Sequence, residues 1–244
     1  MEVNDRVLSD STDLYIKHLS ERKIPGFPGV CFQCEFSVDR YSDDMVNHFL
    51  GTDLPDSMNR AVAKRRAEFV AGRYVARRAL MTLGATDLSV GIGENRAPVW
   101  PESFTGSISH AQDMAICAVA DSDRVKSVGI DVENMLSEKV AADIVGSILT
   151  EEDYQFVGSS SHPDPRMLTL IFSAKESLFK SLYSDVGYYF GFDAANMVSI
   201  DEREGSFQVE LAQELTPALR QGLRFEGGFE YLQMGVLTSI IRLR

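Results

Sequence analysis

VGIDVE, residues 128–133, and FSAKESLFK, residues 172–180, are the stretches on which the reading of this chain turns. In the first, an apolar strand is interrupted by two carboxylates, Asp131 and Glu133. Successive side chains on a strand face opposite ways, so both acids project to one face, about 6.5–7 Å apart at the backbone. Two oxygen ligands at that spacing can converge on Mg2+, a hard cation that takes carboxylates, water and phosphate oxygens. On spacing alone, however, the pair reads first as the exposed end of a strand. The second stretch belongs to a helix expected over residues 166–183, whose apolar stripe is Leu168, Ile171, Leu178 and Leu182, widened by Phe172, Phe179 and Tyr183. Ser173, Ser177 and Ser181 line its far side. Glu176 falls at the margin of the stripe, Lys180 on the polar flank, and Lys175 near the centre. A lysine amid apolar residues is costly unless it is paired or reaches water, so the helix is expected to face a polar cleft.

Just upstream, MAICAVA (residues 114–120) reads as a buried strand and DSDRVKS (residues 121–127) as a polar turn. Strand, turn, strand predicts a hairpin that sets the acids beside Ser109 and His110, the end of a further strand. Neighbours on a strand face opposite ways, so Ser109 and His110 cannot act together as nucleophile and base, which argues against a serine hydrolase. His110 is either a partly exposed imidazole or an anion contact. The glycines of GIGENRAPVWPESFTGSISH, residues 91–110, lack the spacing of a dinucleotide fingerprint, and Pro98 and Pro101 hold an extended loop around Trp100.

Residues 59–83 predict a strong helix ended by Gly84, with Val62, Phe69, Ala76 and Leu80 on one stripe and Arg66 and Arg73 falling in it. The two arginines either snorkel to water or form a recessed phosphate site, for which the guanidinium fork is well suited. Arg60, Lys64, Arg65, Arg66, Arg73, Arg77 and Arg78 make one local cationic wall in a chain of net charge -12. That balance argues against nucleic acid and for a small polyanion. Upstream, residues 30–38 read as an alternating strand. Downstream follow a helix to about residue 149, a TEEDY segment in which Thr150 and Asp153 resemble a capping box, a surface loop over residues 159–165, and strands at 197–200, 207–211, 223–231 and 234–240. These strands are expected to form a small antiparallel sheet on the second helix. The division falls near residues 121–127, giving an N-terminal subdomain over 1–124 and a C-terminal one over 125–244.

The 244 residues suffice for one large or two small domains. No window reaches the ~18 apolar residues of a membrane span, and MEVNDRVLSDSTD carries acids where a signal segment would be apolar, so a cytoplasmic protein is expected. Cys31, Cys34 and Cys117 cannot all pair and are expected to stay thiols, with Cys31 and Cys34 ordinary half-buried ones, since the CxxC has no second pair or histidine to complete a zinc site.

Taken in order, RRAEFVAGRYVARRAL, PVWPESFTGSISH, VGIDVE and FSAKESLFK resemble the motifs of the 4'-phosphopantetheinyl transferases, in the enterobactin synthase component branch that primes siderophore nonribosomal peptide synthetases. The resemblance covers roughly residues 61–199. It implies an α+β fold, a pseudo-dimer of two similar subdomains, each a small mostly antiparallel sheet packed with helices, with coenzyme A and Mg2+ in the cleft between them. It implies Asp131, Glu133 and Glu176 as metal ligands, Lys180 on the coenzyme A phosphates, Ser109 and His110 toward the 3'-phosphate, and Arg73 and Arg96 toward the nucleotide. Arg66 joins them from the helix projection, and Lys175 is counted with the coenzyme A contacts. Glu176 is the first candidate for the general base, with Glu152 and Asp153 of TEEDY competing. The implied reaction moves 4'-phosphopantetheine from coenzyme A to a serine of an apo peptidyl, aryl or acyl carrier domain and releases 3',5'-adenosine diphosphate. A monomer with neither nucleic acid nor membrane as partner is expected. Two other classes fit the residues: a Mg2+-dependent phosphohydrolase of small nucleotides, and a silent module binding coenzyme A or a carrier.

Overall fold

The computed structural model describes residues 12–244; residues 1–11, on which the expectation of no signal segment largely rests, lie outside the described residues. Two antiparallel sheets carry the chain. In the first, β1 (Ile16–Arg22), β2 (Val30–Phe36), β4 (Met114–Asp121) and β3 (Phe104–Ala111) lie side by side in that order. The second has the order β6 (Ala195–Asp201), β7 (Ser206–Leu211), β8 (Arg224–Tyr231), β9 (Gly235–Leu243) and β5 (Val125–Asn134). One long helix crosses each: α1 (Ala63–Thr82) on the first sheet and α3 (Pro165–Val186) on the second, with α2 (Glu138–Ile148) beside α3. The expected α+β pseudo-dimer is therefore the architecture. Among the described residues no helix is long and apolar enough to cross a membrane.

Helix α1 buries Ala67, Phe69, Val70, Val75, Ala76 and Leu80 against Cys34, Phe36, Ala115, Cys117 and Val119 of the sheet. It starts four residues later than expected. Val62, assigned to the buried stripe, is instead the residue before the first turn and is 71 % exposed. Gly84 closes the helix with φ +76°, the left-handed conformation that glycine adopts without penalty. Helix α3 opens with Asp164, whose Oδ1 accepts from Arg166 N (2.8 Å) and Met167 N (3.3 Å), and with Pro165 at its first position, where no N–H is needed. Its apolar stripe packs with Val145, Ile148, Met197, Phe207, Val209 and Ile240. The serine side is not solvated: Ser173, Ser177 and Ser181 are all fully buried. Gly129 of β5 makes this possible, because a Cβ there would lie 1.9 Å from Ser177 O and 2.7 Å from Ser181 N. The helix backbone thus lies directly on the strand.

The expected hairpin of β4 and β5 does not form. After β4, which pairs with β2 and β3, the chain crosses to the other sheet and β5 pairs with β9. The unpaired edge of β5 instead meets side chains of β3: Ser107 Oγ accepts from Ile130 N (3.1 Å) and Ser109 Oγ from Val132 N (3.3 Å). Hydroxyls stand where a ladder would have offered carbonyls, so the exposed-edge problem of a terminal strand is solved within the chain. Behind this seam Val128, Ile130, Val132 and Leu237 of the second sheet share a third core with Cys31, Ile116, Ala118 and Ala120 of the first. Alternation along β2 sends Cys31 into that core and Cys34 into the one under α1, so the two cannot meet on one metal or in one disulfide. The three thiols are fully buried, against the half-burial expected of Cys31 and Cys34, and burial pushes those two up to about 12.

Candidate active site

The regular alternation of β5 turns Val128, Ile130 and Val132 into the shared core and Asp131 and Glu133 to the other face, toward α3. Asp131, 2 % exposed, is the centre of the seam. Its Oδ1 accepts from Ser109 Oγ (2.9 Å) of one half and from Lys180 Nζ (2.7 Å) of the other, and its Oδ2 from Ser173 Oγ (2.8 Å). Lys180 also donates to Ser109 Oγ (3.0 Å) and Ile130 O (3.2 Å). Behind them Thr238 Oγ1, 2.9 Å from Ser173 Oγ and 2.6 Å from Ser177 Oγ, completes a hydroxyl network that fixes the carboxylate.

Glu133 and Glu176 are differently placed. Burial, the Asp131 charge and Glu176 raise the Glu133 carboxyl from its ordinary 4.5 to about 8, against the opposing pull of Lys180. Burial and Asp131 raise Glu176 as well, again opposed by Lys180. No hydrogen bond contributes to either shift, so these are uncompensated acids in a partly dry place. A hard divalent cation answers that need, and an all-oxygen donor set fits it. Among the described residues no three such side chains stand as a preformed ligand group, and Asp131 is held by Ser109 and Lys180 at Oδ1 and by Ser173 at Oδ2. The donor chemistry fits the cation: Glu133 and Glu176 are free to bind, and Asp131 Oδ2, which among those residues accepts only from Ser173 Oγ, keeps a second lone pair.

On the N-terminal side a cavity of about 510 Å3 opens beside His110, walled by Arg60, Arg65, Arg73 and Arg96 with Phe69, Ile92 and Pro98. Glu68 and His110 also line it, and His110 feels the charges of Asp131 and Lys180 at the seam. Arg65 Nη1 lies 3.0 Å from His110 Nε2; a guanidinium can only donate, so the imidazole is neutral and accepts there. Burial lowers His110 below its ordinary 6.5, with Arg65 and Lys180 adding to the effect and Glu68 and Asp131 opposing it. Arg73 is fixed by donation to Val90 O (2.9 Å) and Gly91 O (3.1 Å) and by its place 4.8 Å from the Phe69 ring centre. Burial lowers it to about 10. Gly72 lets β3 approach, since a Cβ there would come within 2.9 Å of Ile108.

Several expected site residues stand elsewhere. Arg66 points away from the cavity and pairs with Asp43; Arg65 takes the place expected of it. The row that lines the cavity is Arg65, Phe69 and Arg73, at i, i+4 and i+8, and that spacing was available in the sequence. Lys175 is no coenzyme A contact. It is 3 % exposed and donates to Asp153 Oδ2 (2.5 Å), Ile148 O (2.9 Å) and Phe192 O (2.9 Å), so it faces a saturated pocket in the core and no cleft. Asp153, fully buried, also accepts from Thr150 N and Met197 N, which removes it as a base. Glu152 is exposed, and its charge is felt by Lys175, not by Glu133 or Glu176. Ser109, His110, Asp131, Glu133, Glu176 and Lys180 are brought together at the seam, and Arg73 and Arg96 at the cavity.

The fold and site define a class, a two-lobed α+β protein with an arginine-walled cavity on one lobe and a cluster of acids at the seam with the other. The class has a family name. Residues 54–120 match the 4'-phosphopantetheinyl transferase N-terminal domain, and residues 127–227 match the 4'-phosphopantetheinyl transferase superfamily. The chain belongs to the 4'-phosphopantetheinyl transferase family. It is 34 % identical to the 4'-phosphopantetheinyl transferase Npt of Nocardia iowensis over 214 residues, 82 % of this chain and 91 % of that one. To the transferase Svp of Streptomyces mobaraensis it is 36 % identical over 173 residues, covering 70 % and 68 % of the two chains. Enterobactin synthase component D of Salmonella typhi is 38 % identical over 146 residues; there the match spans 60 % of each chain's length.

Proposed function

We propose that this protein transfers the 4'-phosphopantetheine group of coenzyme A to a serine of an apo carrier protein domain and releases 3',5'-adenosine diphosphate, priming nonribosomal peptide synthetases of the siderophore type. The observation that carries this reading is the convergence of Ser109 and Lys180, one from each lobe, on Asp131, beside two unpaired carboxylates and an arginine-walled cavity. The arginines and His110 hold the 3'-phosphate end, and Lys180 meets the diphosphate as charge develops on it. The serine oxygen forms a bond to the β-phosphorus, the bond from that phosphorus to the oxygen of the departing nucleotide breaks, and the serine proton passes to a carboxylate. Glu176 is that acceptor, because it stands beside Asp131 and Lys180 at the seam whereas Asp153 is committed to Lys175. Glu133 and Glu176, with Asp131, would hold Mg2+, which when bound neutralises charge on the transferred phosphate. The protein acts as a monomer in the cytoplasm, a reducing compartment that suits its three unpaired thiols.

Incubation with coenzyme A, Mg2+ and a panel of apo peptidyl, aryl and acyl carriers tests the reading by mass spectrometry. A phosphopantetheine mass added to the carrier serine is expected. No gain on any carrier, with coenzyme A hydrolysed instead, would identify a phosphohydrolase, and binding without either change a silent module. Asp131→Ala is expected to abolish transfer while the protein remains folded; full activity in that variant would remove Asp131 from the site.

A further inference from the structure

Residues 94–97 form a tight turn joining two short strands, Gly91–Ile92 and Pro98–Val99. Ala97 N–H donates to Glu94 O (3.0 Å) and Gly93 N–H to Ala97 O (2.8 Å). Both central residues have positive φ, Asn95 at 51° and Arg96 at 64°. Turns of this primed kind favour asparagine first and glycine second. Asn95 obeys the rule and Arg96 breaks it. A large side chain in the left-handed region persists only where its surroundings impose it, and such outliers gather at functional sites.

The imposing group lies in the other lobe. Tyr183, in the last turn of α3, accepts at its hydroxyl from Asn95 Nδ2 (3.0 Å) and donates from it to Glu94 O (3.1 Å). One hydroxyl thus uses both of its capacities to clasp the turn to the helix that carries Glu176 and Lys180. The clasped Arg96 is exposed and stands between two cavities, lining both the arginine-walled one and a second of about 260 Å3 closed by Trp100, Phe179 and Tyr183. The geometry points to Tyr183 and Asn95 as positioning residues that hold Arg96 in a strained conformation directed at coenzyme A. This role rests on the transferase reading of the site. In it Tyr183 acts through Arg96.

Calorimetric titration of coenzyme A into the full chain, without a carrier, tests the role in four proteins: unsubstituted, Tyr183→Phe, Arg96→Gly and the double variant. Tyr183→Phe is expected to weaken binding by about three- to tenfold, the scale of one hydrogen bond. In turnover it raises the KM for coenzyme A by the same factor and changes kcat at saturation less than about twofold, since only binding is affected. Arg96→Gly is expected to weaken binding while raising the melting temperature, because glycine relieves the strained φ. In that background Tyr183→Phe has no further effect on affinity, the coupling expected of residues that act as a unit. Unchanged affinity in Tyr183→Phe or in Arg96→Gly would overturn the role, as would an equal loss from Tyr183→Phe in both backgrounds. Coenzyme A binding without carrier modification would overturn the transfer reading only. Failure of the unsubstituted protein to bind coenzyme A would overturn both.

Discussion

Lys175 and Glu176 are adjacent in sequence and opposite in fate. Lys175 turns into the core and meets Asp153 with both side chains nearly or fully buried. Removing one member of such a pair leaves an uncompensated charge, so Lys175→Ala is expected to lower stability by about 3–5 kcal/mol in urea unfolding. Coenzyme A affinity of the folded fraction should not change; a loss of affinity would return Lys175 to the binding site. Glu176 and Glu133 instead face one another's charge. Glu133 binds its proton more tightly in the folded state, at about 8 against an ordinary 4.5, so between those values folding takes up a proton. Stability contributed by the neutral carboxyl is present at low pH and is lost as pH rises through the folded value. Without divalent cations the melting temperature should therefore fall from about pH 5 to pH 8, and Glu133→Gln should flatten the fall. Added Mg2+ at the higher pH should restore the lost stability. A melting temperature indifferent to Mg2+ would argue against the cation.

Helix α3 is the element in which the sequence was both most and least legible. The Asp164-Pro165 start reads as loop in the sequence, but the apolar stripe and approximate extent followed from a 3.6-residue period, because that signal is local. Its serine side did not, because small polar residues look solvated until a partner without a side chain is known to lie against them. Gly129 is that partner, forty-odd residues away in sequence. Gly129→Ala is expected to lower stability by about 1–3 kcal/mol by forcing strand and helix apart. Thermal unfolding and transfer activity should fall together, since the same displacement moves Glu176 and Lys180 from Asp131. Strand β5 repeats the lesson: alternation placed Asp131 and Glu133 on one face, but local pattern could not reveal that its partner was β9, a hundred residues on, instead of β4. Similarly Lys175 was legible as an expensive lysine, and its partner Asp153 was not.

At the scale of the molecule, an acidic chain gathers Arg60, Arg65, Arg73 and Arg96 around one cavity of one lobe and sets two unpaired carboxylates, Glu133 and Glu176, at the seam. The lobes are joined by the core behind the seam and by buried hydroxyls within it. Those hydroxyls set a tempo. A backbone ladder opens only when a sheet comes apart, whereas the amides of Ile130 and Val132 are covered by single rotatable groups, Ser107 and Ser109. They are expected to exchange with deuterium faster than the β5 amides paired with β9, and to slow when coenzyme A spans the lobes. The midline then behaves as a latch that breathes at rest and quietens when its ligand is in place.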